Sequence, residues 1–165
     1  MEWQRMEPTR CCWRFGTTPG APANPEGTLL PDEEGLLFYG TTYSGGTSNR
    51  GTVFRVTTSP NTLTRLYSAG AAAGHPVELR SALVHLPSGR LASTSRVGGA
   101  ANQGAVFDLD TFGGDLQIRR NFGFEARDGA RSRSPLLVLP GGVAYGMTFG
   151  GGTTDQGVIF RIRIR

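Results

Sequence analysis

One stretch of the chain recurs twice at a fixed step, and this repetition constrains the fold more than any other feature. The positions that keep the step of 53 residues include Gly51, Gly104 and Gly157, and also Phe54, Phe107 and Phe160. A period of this length is typical of repeat architectures, in which each repeat is one unit that packs on its neighbours. We therefore interpret the chain as three copies of one unit.

Each repeat is predicted to contain four short strands separated by tight turns. The 25 glycines and 10 prolines are spread over turn positions, and short apolar runs of period two lie between them. The strands predicted for the second repeat are 82–86, 91–95, 104–109 and 116–122. The expected fold class is all-β, with tandem four-stranded repeats of period 53 that resemble the blades of a β-propeller.

A single repeat domain is expected over residues 13–165, after a disordered lead at 1–12. The repeats are placed at about 28–80, 81–133 and 134–165. The third repeat is one strand short, and residues 13–15 are a candidate latch strand that would complete it. Three blades are fewer than the roughly four to eight of a closed propeller. Two chains could therefore form a six-bladed ring, the chain could be a fragment of a longer propeller, or the sheets could form an open array.

The loop between the second and third strands carries the same residue types in every repeat. Two glycines and two small residues precede an Asn or Asp, and another glycine follows two positions later; the Asn or Asp is Asn49, Asn102 or Asp155. Both residue types tolerate left-handed backbone and bond their own main chain, so turn chemistry accounts for the pattern. The alternative is a ligand-binding role, and these three are the candidate ligand-binding residues.

The last predicted strand, 160–165, alternates strictly. Its apolar residues are Phe160, Ile162 and Ile164, and its basic residues are Arg161, Arg163 and Arg165. Arginines along a terminal strand are typical of a sheet edge protected against unwanted pairing. An anion-binding stripe is the alternative interpretation.

The charge distribution and the composition exclude several classes of partner. The net charge is +4 and every cation is arginine, but the basic residues form no run with interleaved aromatics, so no nucleic-acid partner is expected. No stretch approaches the length of a membrane-spanning helix, and the first twelve residues lack the apolar region of a signal peptide. Cys11 and Cys12 are adjacent, lack the spacing of a zinc site, and are interpreted as incidental thiols.

The residues that could carry catalysis do not form a recognisable set. The two histidines, His75 and His85, are not repeat features, and the acidic run at 32–34 is interpreted as a solvated turn. The chain has neither a nucleophile elbow nor a phosphate-binding loop with its lysine. We predict no catalytic residues, no metal site and no cofactor, and we do not predict an enzyme.

Four motifs of the first repeat resemble a known family. They are Tyr39-Gly-Thr-Thr42, Gly45-Gly46, Gly51-Thr-Val-Phe54 and Leu63-Thr-Arg-Leu-Tyr67. They look like the bacterial GloVer tandem repeat of choice-of-anchor repeat proteins, and the resemblance covers residues 13–165 in three copies. Members are typically long, secreted or surface-anchored proteins. The resemblance therefore implies an extracellular or cell-surface setting, and it brings no catalytic residues with it.

The expected function is that of a non-catalytic β-repeat module, a surface or secreted binding or structural domain. A glycan or a protein is the expected ligand, and a homodimer is the expected partner state. Two alternatives stay open at this point. One is a β-propeller hydrolase or lyase with a site in a central channel, and the other is a degenerate fragment of a longer repeat protein.

Overall fold

The computed structural model of the chain describes residues 13–164, which form thirteen β-strands and no helix. The expected disordered lead, with Cys11 and Cys12, lies outside the described residues, as does Arg165. The strands form three antiparallel sheets that follow one another along the chain. This confirms the predicted all-β repeat fold.

The strand bounds follow the step of the sequence repeat. The first sheet contains β1 (Ala23–Pro25), β2 (Leu30–Pro31), β3 (Leu37–Ser44), β4 (Thr52–Thr58) and β5 (Asn61–Ser68). The second contains β6 (Val84–His85), β7 (Leu91–Thr94), β8 (Ala105–Leu109) and β9 (Gln117–Asn121). The third contains β10 (Gly129–Ser132), β11 (Leu137–Leu139), β12 (Val143–Gly151) and β13 (Ile159–Arg163).

Every sheet is built on the same meander of neighbouring strands. The order is β2-β3-β4-β5 in the first sheet and β6-β7-β8-β9 in the second, whereas the third has only β11, β12 and β13. The predicted plan of four strands, with the third repeat one strand short, therefore holds among the described residues. Closure of the sheets into a propeller ring stays a prediction.

Two short strands lie where no strand was expected. β1 and β10 pair with the far ends of β3 and β12, on the same edges as β2 and β11. An isolated bridge between Val77 and Val97 takes the corresponding place in the second sheet. The first strand of each repeat is thus broken into two pieces. The proline or glycine in or beside the outer piece is typical of a loop, which is why the sequence pattern does not reveal it.

The candidate latch at 13–15 is not a strand in the described chain. Phe15 packs edge-on against Phe54 of the first sheet, with 5.3 Å between the ring centroids. Strand β13 pairs with β12 and with no other described strand. Residues 13–15 therefore contact the opposite end of the sheet array from the edge that they were expected to complete.

The hydrophobic core consists of two clusters, each of which joins neighbouring sheets. The cluster between the first and second sheets contains Tyr39, Val53, Ala69, Val77, Leu79, Leu83, Leu91, Phe107 and Leu109. The cluster between the second and third contains Leu86, Ala92, Val106, Phe122, Leu136, Ala144, Phe160 and Ile164. Strands β7 and β8 are buried along their whole length, because the second sheet is covered on both faces.

Candidate functional site

The three loops that carry the candidate residues have one shared geometry. Asn49, Asn102 and Asp155 have φ values of 52°, 55° and 53°, in the left-handed region. The Oδ1 atom of each accepts a hydrogen bond from the backbone N–H four residues earlier, from Gly45 (2.9 Å), Gly98 (3.2 Å) and Gly151 (2.6 Å). Each side chain therefore closes its own loop, as the turn interpretation predicts.

Two clefts lie beside these loops, and they are built from equivalent repeat positions. The first has a volume of about 530 Å³ and its polar lining residues are Ser48, Arg50, His75 and Asn102. The second has a volume of about 370 Å³ and its polar lining residues are Gln103, Glu125, Asp128, Arg131 and Asp155. Arg50 and Gln103, His75 and Asp128, and Asn102 and Asp155 each keep the step of 53. The repeat thus produces one cleft twice, with different charges.

The first cleft contains hydrogen-bond donors and no carboxylate among its lining residues. The phenol oxygen of Tyr67 lies 2.8 Å from Nδ1 of His75. Burial raises the pKa of Tyr67 to about 12, so the phenol stays protonated at neutral pH. His75 is half-buried and lines the cleft. With Arg50 exposed beside it, this cleft suits a ligand with hydroxyl or anionic groups.

The second cleft is acidic, and its carboxylates are held by the protein itself. Asp128 accepts hydrogen bonds from Arg120 (2.7 Å) and from the backbone N–H groups of Gly123 (3.0 Å) and Gly129 (2.9 Å). Burial acts to raise the pKa of Asp128, but Arg120 and the backbone donors outweigh it and lower that pKa.

The other aspartate of the second cleft is held in a similar way. Asp155 accepts from Gly151 N–H and also from Nη2 of Arg131, at 2.7 and 2.8 Å from its two oxygens. The backbone N–H group, followed by the Arg131 guanidinium, lowers the pKa of Asp155. Both aspartates of the second cleft are therefore ionised at neutral pH.

The three candidate residues do not converge on one site. Asn102 lines the first cleft and Asp155 the second, whereas Asn49 lines neither of them. The sequence pattern does not reveal the segments that line the other side of each cleft. They are the connections between repeats at 70–75 and 123–128. The signal that could have found them is the step of 53 applied to those connections, since His75 and Asp128 are equivalent positions.

The remaining chemistry-bearing residues take structural roles in the described chain. His85 Nε2 lies 3.0 Å from the carbonyl oxygen of Pro31, and Asp32 accepts from the backbone N–H groups of Leu36 and Leu37. The acidic run thus includes a turn-forming side chain. Within residues 13–164 there is no group of three or more His, Cys, Asp or Glu side chains that could hold a metal ion.

The basic residues of the last strand lie where the alternation predicts. Arg161 and Arg163 are exposed, while Phe160 and Ile164 are buried in the second core cluster. Strand β13 is a free edge among the described strands, and the edge-protection role of its arginines stays a prediction. The anion-binding interpretation stays a prediction.

No part of the described chain forms a helix with the length and apolarity that a membrane-spanning helix needs.

The repeat has a counterpart among known protein families. A family model described as the Gloeobacter/Verrucomicrobia repeat matches residues 10–165, which is nearly the whole chain. None of the curated proteins compared with the sequence matches it. The match covers all three sheets, together with the connections that form the clefts, so the chain belongs to the Gloeobacter/Verrucomicrobia repeat family.

Proposed function

We propose that this chain is a non-catalytic binding module, displayed at a cell surface or secreted, which holds a glycan or a protein ligand along its loop rim. The observation that carries the proposal is the duplicated cleft. Two clefts of equivalent construction lie beside loops whose backbone is fixed by Asn102 and Asp155. Loops placed by a rigid scaffold are where proteins usually carry binding residues.

The first cleft is the stronger candidate for ligand binding. Arg50 supplies donors, and no lining carboxylate competes for them, while the Ser48 hydroxyl donates to Gly70 O at 3.4 Å. In the second cleft Asp155 and Arg131 already bond each other, and Asp128 is satisfied by Arg120 and backbone donors. A polysaccharide with carboxylate or sulfate groups would match the donors of the first cleft, because arginine binds such planar or multidentate anions well.

The test is retention of the purified chain on immobilised polysaccharides, with acidic and neutral polymers compared. Replacement Arg50→Ala is expected to reduce retention on the acidic polymer several-fold and to leave the unfolding midpoint unchanged, because the side chain is exposed. Arg127→Ala is the matched control, since Arg127 is also exposed but lines no part of the first cleft. A wild-type chain that binds neither a polysaccharide nor a protein probe would contradict the proposal.

The proposal includes association of two copies of the chain. Three sheets have two outer faces, and both of these faces carry exposed apolar residues, such as Leu29 and Ile159. A binding module with a repeated cleft would gain avidity from such association, because several weak contacts to one polymer act together.

A further inference from the structure

Inside the chain, one face of each sheet packs on the opposite face of the next sheet. In the first interface, Tyr39 and Val53 share a cluster with Leu83 and Phe107 of the following sheet. In the second interface, the equivalent residues Ala92 and Val106 share a cluster with Leu136 and Phe160. The same pair of faces therefore meets twice, in the same order along the chain.

The third sheet presents this face again, and no other sheet of the described chain covers it. The equivalents of Tyr39 and Val53 are Tyr145 and Ile159, and Ile159 is 76% exposed. The other exposed apolar residues of this face are Leu137, Leu139, Met147 and Phe149. Along β12 the burial alternates strictly, so that one face of the strand is packed and the other is open.

The first sheet presents the complementary face. Equivalence is assigned here by strand pairing and not by the step of 53, because the first repeat has one more residue between these strands than the other two. Leu30, Val84 and Leu137 pair with the equivalent residues Tyr39, Ala92 and Tyr145. The residues before them, Leu29, Leu83 and Leu136, are therefore also equivalent. Leu83 and Leu136 are 2% and 4% exposed, but Leu29 is 52% exposed. The leucine that fills each internal interface is thus uncovered only at the start of the array.

Residues 13–22 occupy the place that a connection from a preceding sheet would take. The N–H of Gly16 donates to Pro22 O at 2.9 Å, as the N–H of Gly70 donates to Pro76 O at 3.2 Å in the connection after β5. Phe15 packs on Phe54 at 5.3 Å, as Phe122 at the end of β9 packs on Phe160 at 5.0 Å. Trp13–Phe15 therefore occupies the position that the end of a fourth strand of a preceding sheet would take. The third sheet lacks such a fourth strand.

We infer that the first sheet of a second copy of this chain stacks on the open face of the third sheet, head to tail, with its residues 13–15 beside the free edge of β13. The inference goes beyond ligand binding and deepens the association included in the proposed function. It commits to a second copy because the face of the third sheet and the Leu29 position of the first sheet are both open on one chain, while Phe54 is covered by Phe15. A contact of this kind is heterologous, so it closes into a ring of copies or extends into a longer array.

The contact between copies differs from the internal interfaces at one hydrogen-bonded position. In the internal interfaces, Thr41 Oγ1 donates to Ser81 O at 2.8 Å and Thr94 Oγ1 donates to Ser134 O at 3.0 Å. The equivalent residues between copies are Met147 and Gly27, so no hydroxyl is present to donate to the backbone carbonyl. Methionine fills irregular apolar space well, so this pair replaces a hydrogen-bonded contact by an apolar one.

The open face of the third sheet carries Arg161 and Arg163, and the position of Arg161 is charged in the internal interfaces as well. Arg161 is equivalent to Arg55 and Asp108, and both of those lie on faces that the next sheet covers. Asp108 is fully buried there and is paired with Arg90 and Arg119 of its own sheet. The internal interfaces thus already accommodate a charged residue at this position.

The experiment measures mass in solution by light scattering and sedimentation over a wide dilution series. The wild-type chain is expected at twice its chain mass of 17.6 kDa or at a higher multiple. Ile159→Arg blocks the open face of the third sheet and Leu29→Arg that of the first. Each is expected to weaken association about a hundredfold or more, as changes at the centre of an interface do. Phe112→Arg is the matched control, because Phe112 is 80% exposed in the β8–β9 turn, away from both faces.

Mixing the two blocked variants separates a head-to-tail contact from other contacts. The Leu29→Arg chain keeps an intact third sheet and the Ile159→Arg chain keeps an intact first sheet, so the mixture should form a heterodimer through one intact contact. A wild-type monomer at all concentrations would overturn the inference, and so would a Leu29→Arg chain that associates like wild type. If the chain is a monomer but is retained on a polysaccharide, the ligand-binding proposal holds and this inference fails. If the chain associates but is not retained, this inference holds and the ligand-binding proposal fails.

Discussion

Gly40 lies opposite Phe54 in the ladder between β3 and β4, and the phenyl ring covers the glycine. A Cβ atom built on Gly40 would lie under 3.0 Å from the ring, closer than real Cβ atoms approach such a group. Gly146 and Phe160 repeat the relationship in the third sheet. An aromatic ring over a strand glycine thus occurs in the first and third sheets, whereas Ser93 lies opposite Phe107 in the second.

Replacing Gly40 by alanine is therefore expected to destabilise the fold, since the added methyl group forces Phe54 or the backbone to move. Overpacking of this kind costs about 1–3 kcal/mol, measured as a loss in the free energy of unfolding in urea. The control is the double variant with Phe54→Leu, in which the smaller side chain should reduce the cost of the alanine. Equal costs in the two backgrounds would show that the ring is not the obstacle.

Substitutions at Asn49 are expected to rank by turn chemistry. Asn49→Asp keeps the acceptor for Gly45 N–H and should be nearly neutral, because Asp155 takes this role in the third repeat. Asn49→Gly loses the acceptor but tolerates the φ of 52°, so it should be less stable than Asn49→Asp. Asn49→Ala loses the acceptor and also tolerates the positive φ poorly, so it should be the least stable of the three. The alanine variant should cost about 1–2 kcal/mol in unfolding free energy.

The order of these three variants distinguishes a turn role from a ligand role. If Asn49→Gly were as stable as wild type but failed to bind an acidic polysaccharide, the side chain would contact the ligand. If alanine were as stable as asparagine, the loop-closing hydrogen bond would contribute nothing.

The buried carboxylate of Asp108 is expected to depend jointly on two arginines. It is fully buried, with Arg90 Nε at 2.6 Å from Oδ1 and Arg119 bonded to both oxygens. Arg119→Met leaves one partner, but the double change with Arg90→Met leaves a buried charge alone. Such a charge costs roughly 3–5 kcal/mol, so the double variant should lose more stability than the two single variants together.

Chemical unfolding of the two single variants and the double variant measures this coupling. Arg133→Met serves as the control, since Arg133 is exposed and stacks over Phe149 without a carboxylate partner among the described contacts. If the losses in unfolding free energy of the two single variants simply added up in the double variant, Arg90 and Arg119 would not act jointly on Asp108.

Stability is expected to fall in acid through Asp128. Burial opposes ionisation of this carboxyl, but Arg120 and the backbone donors outweigh it, so its pKa in the folded chain lies below the ordinary value of 3.8. The stabilisation is therefore fully present above about pH 4 and is lost as the pH falls through the lower folded pKa. Urea midpoints at pH 7 and at pH 3 should differ less for Asp128→Asn than for wild type.

The Asp128→Asn variant should be less stable than wild type at pH 7, because it loses the charge that faces Arg120. Asp155→Asn is a useful comparison, since the pKa of Asp155 is also lowered, chiefly by Gly151 N–H and Arg131, at an exposed position. Identical acid sensitivity of wild type and Asp128→Asn would contradict the assignment.

The strand plan could be predicted from sequence because two periods coincide in it. The step of 53 identifies equivalent positions, and alternation within β13 identifies its packed face. The outer strands β1 and β10 could not be predicted in this way. Their pairing is set by the register with β3 and β12, and Pro25 or Gly129 is ordinary in a loop.

The candidate site was predictable in its parts and not in its arrangement. The pattern around Asn49, Asn102 and Asp155 indicates the turns, since glycine and a short polar side chain at fixed spacing determine the local backbone. Which side chains face each other across a cleft depends on the stacking of sheets. His75 reaches the cleft of Asn102 through packing between sheets, which local patterns do not encode.

The second sheet is packed against a neighbouring sheet on each face, so its unfolding is coupled to that of both neighbours. Repeat arrays often lose their units one at a time from the ends, because each unit touches only its neighbours. Here Leu91 and Phe107 serve one cluster while Ala92 and Val106, beside them on the same two strands, serve the other. Melting of the central repeat would strip both outer repeats of their cores at once, so the three should unfold in a single concerted transition.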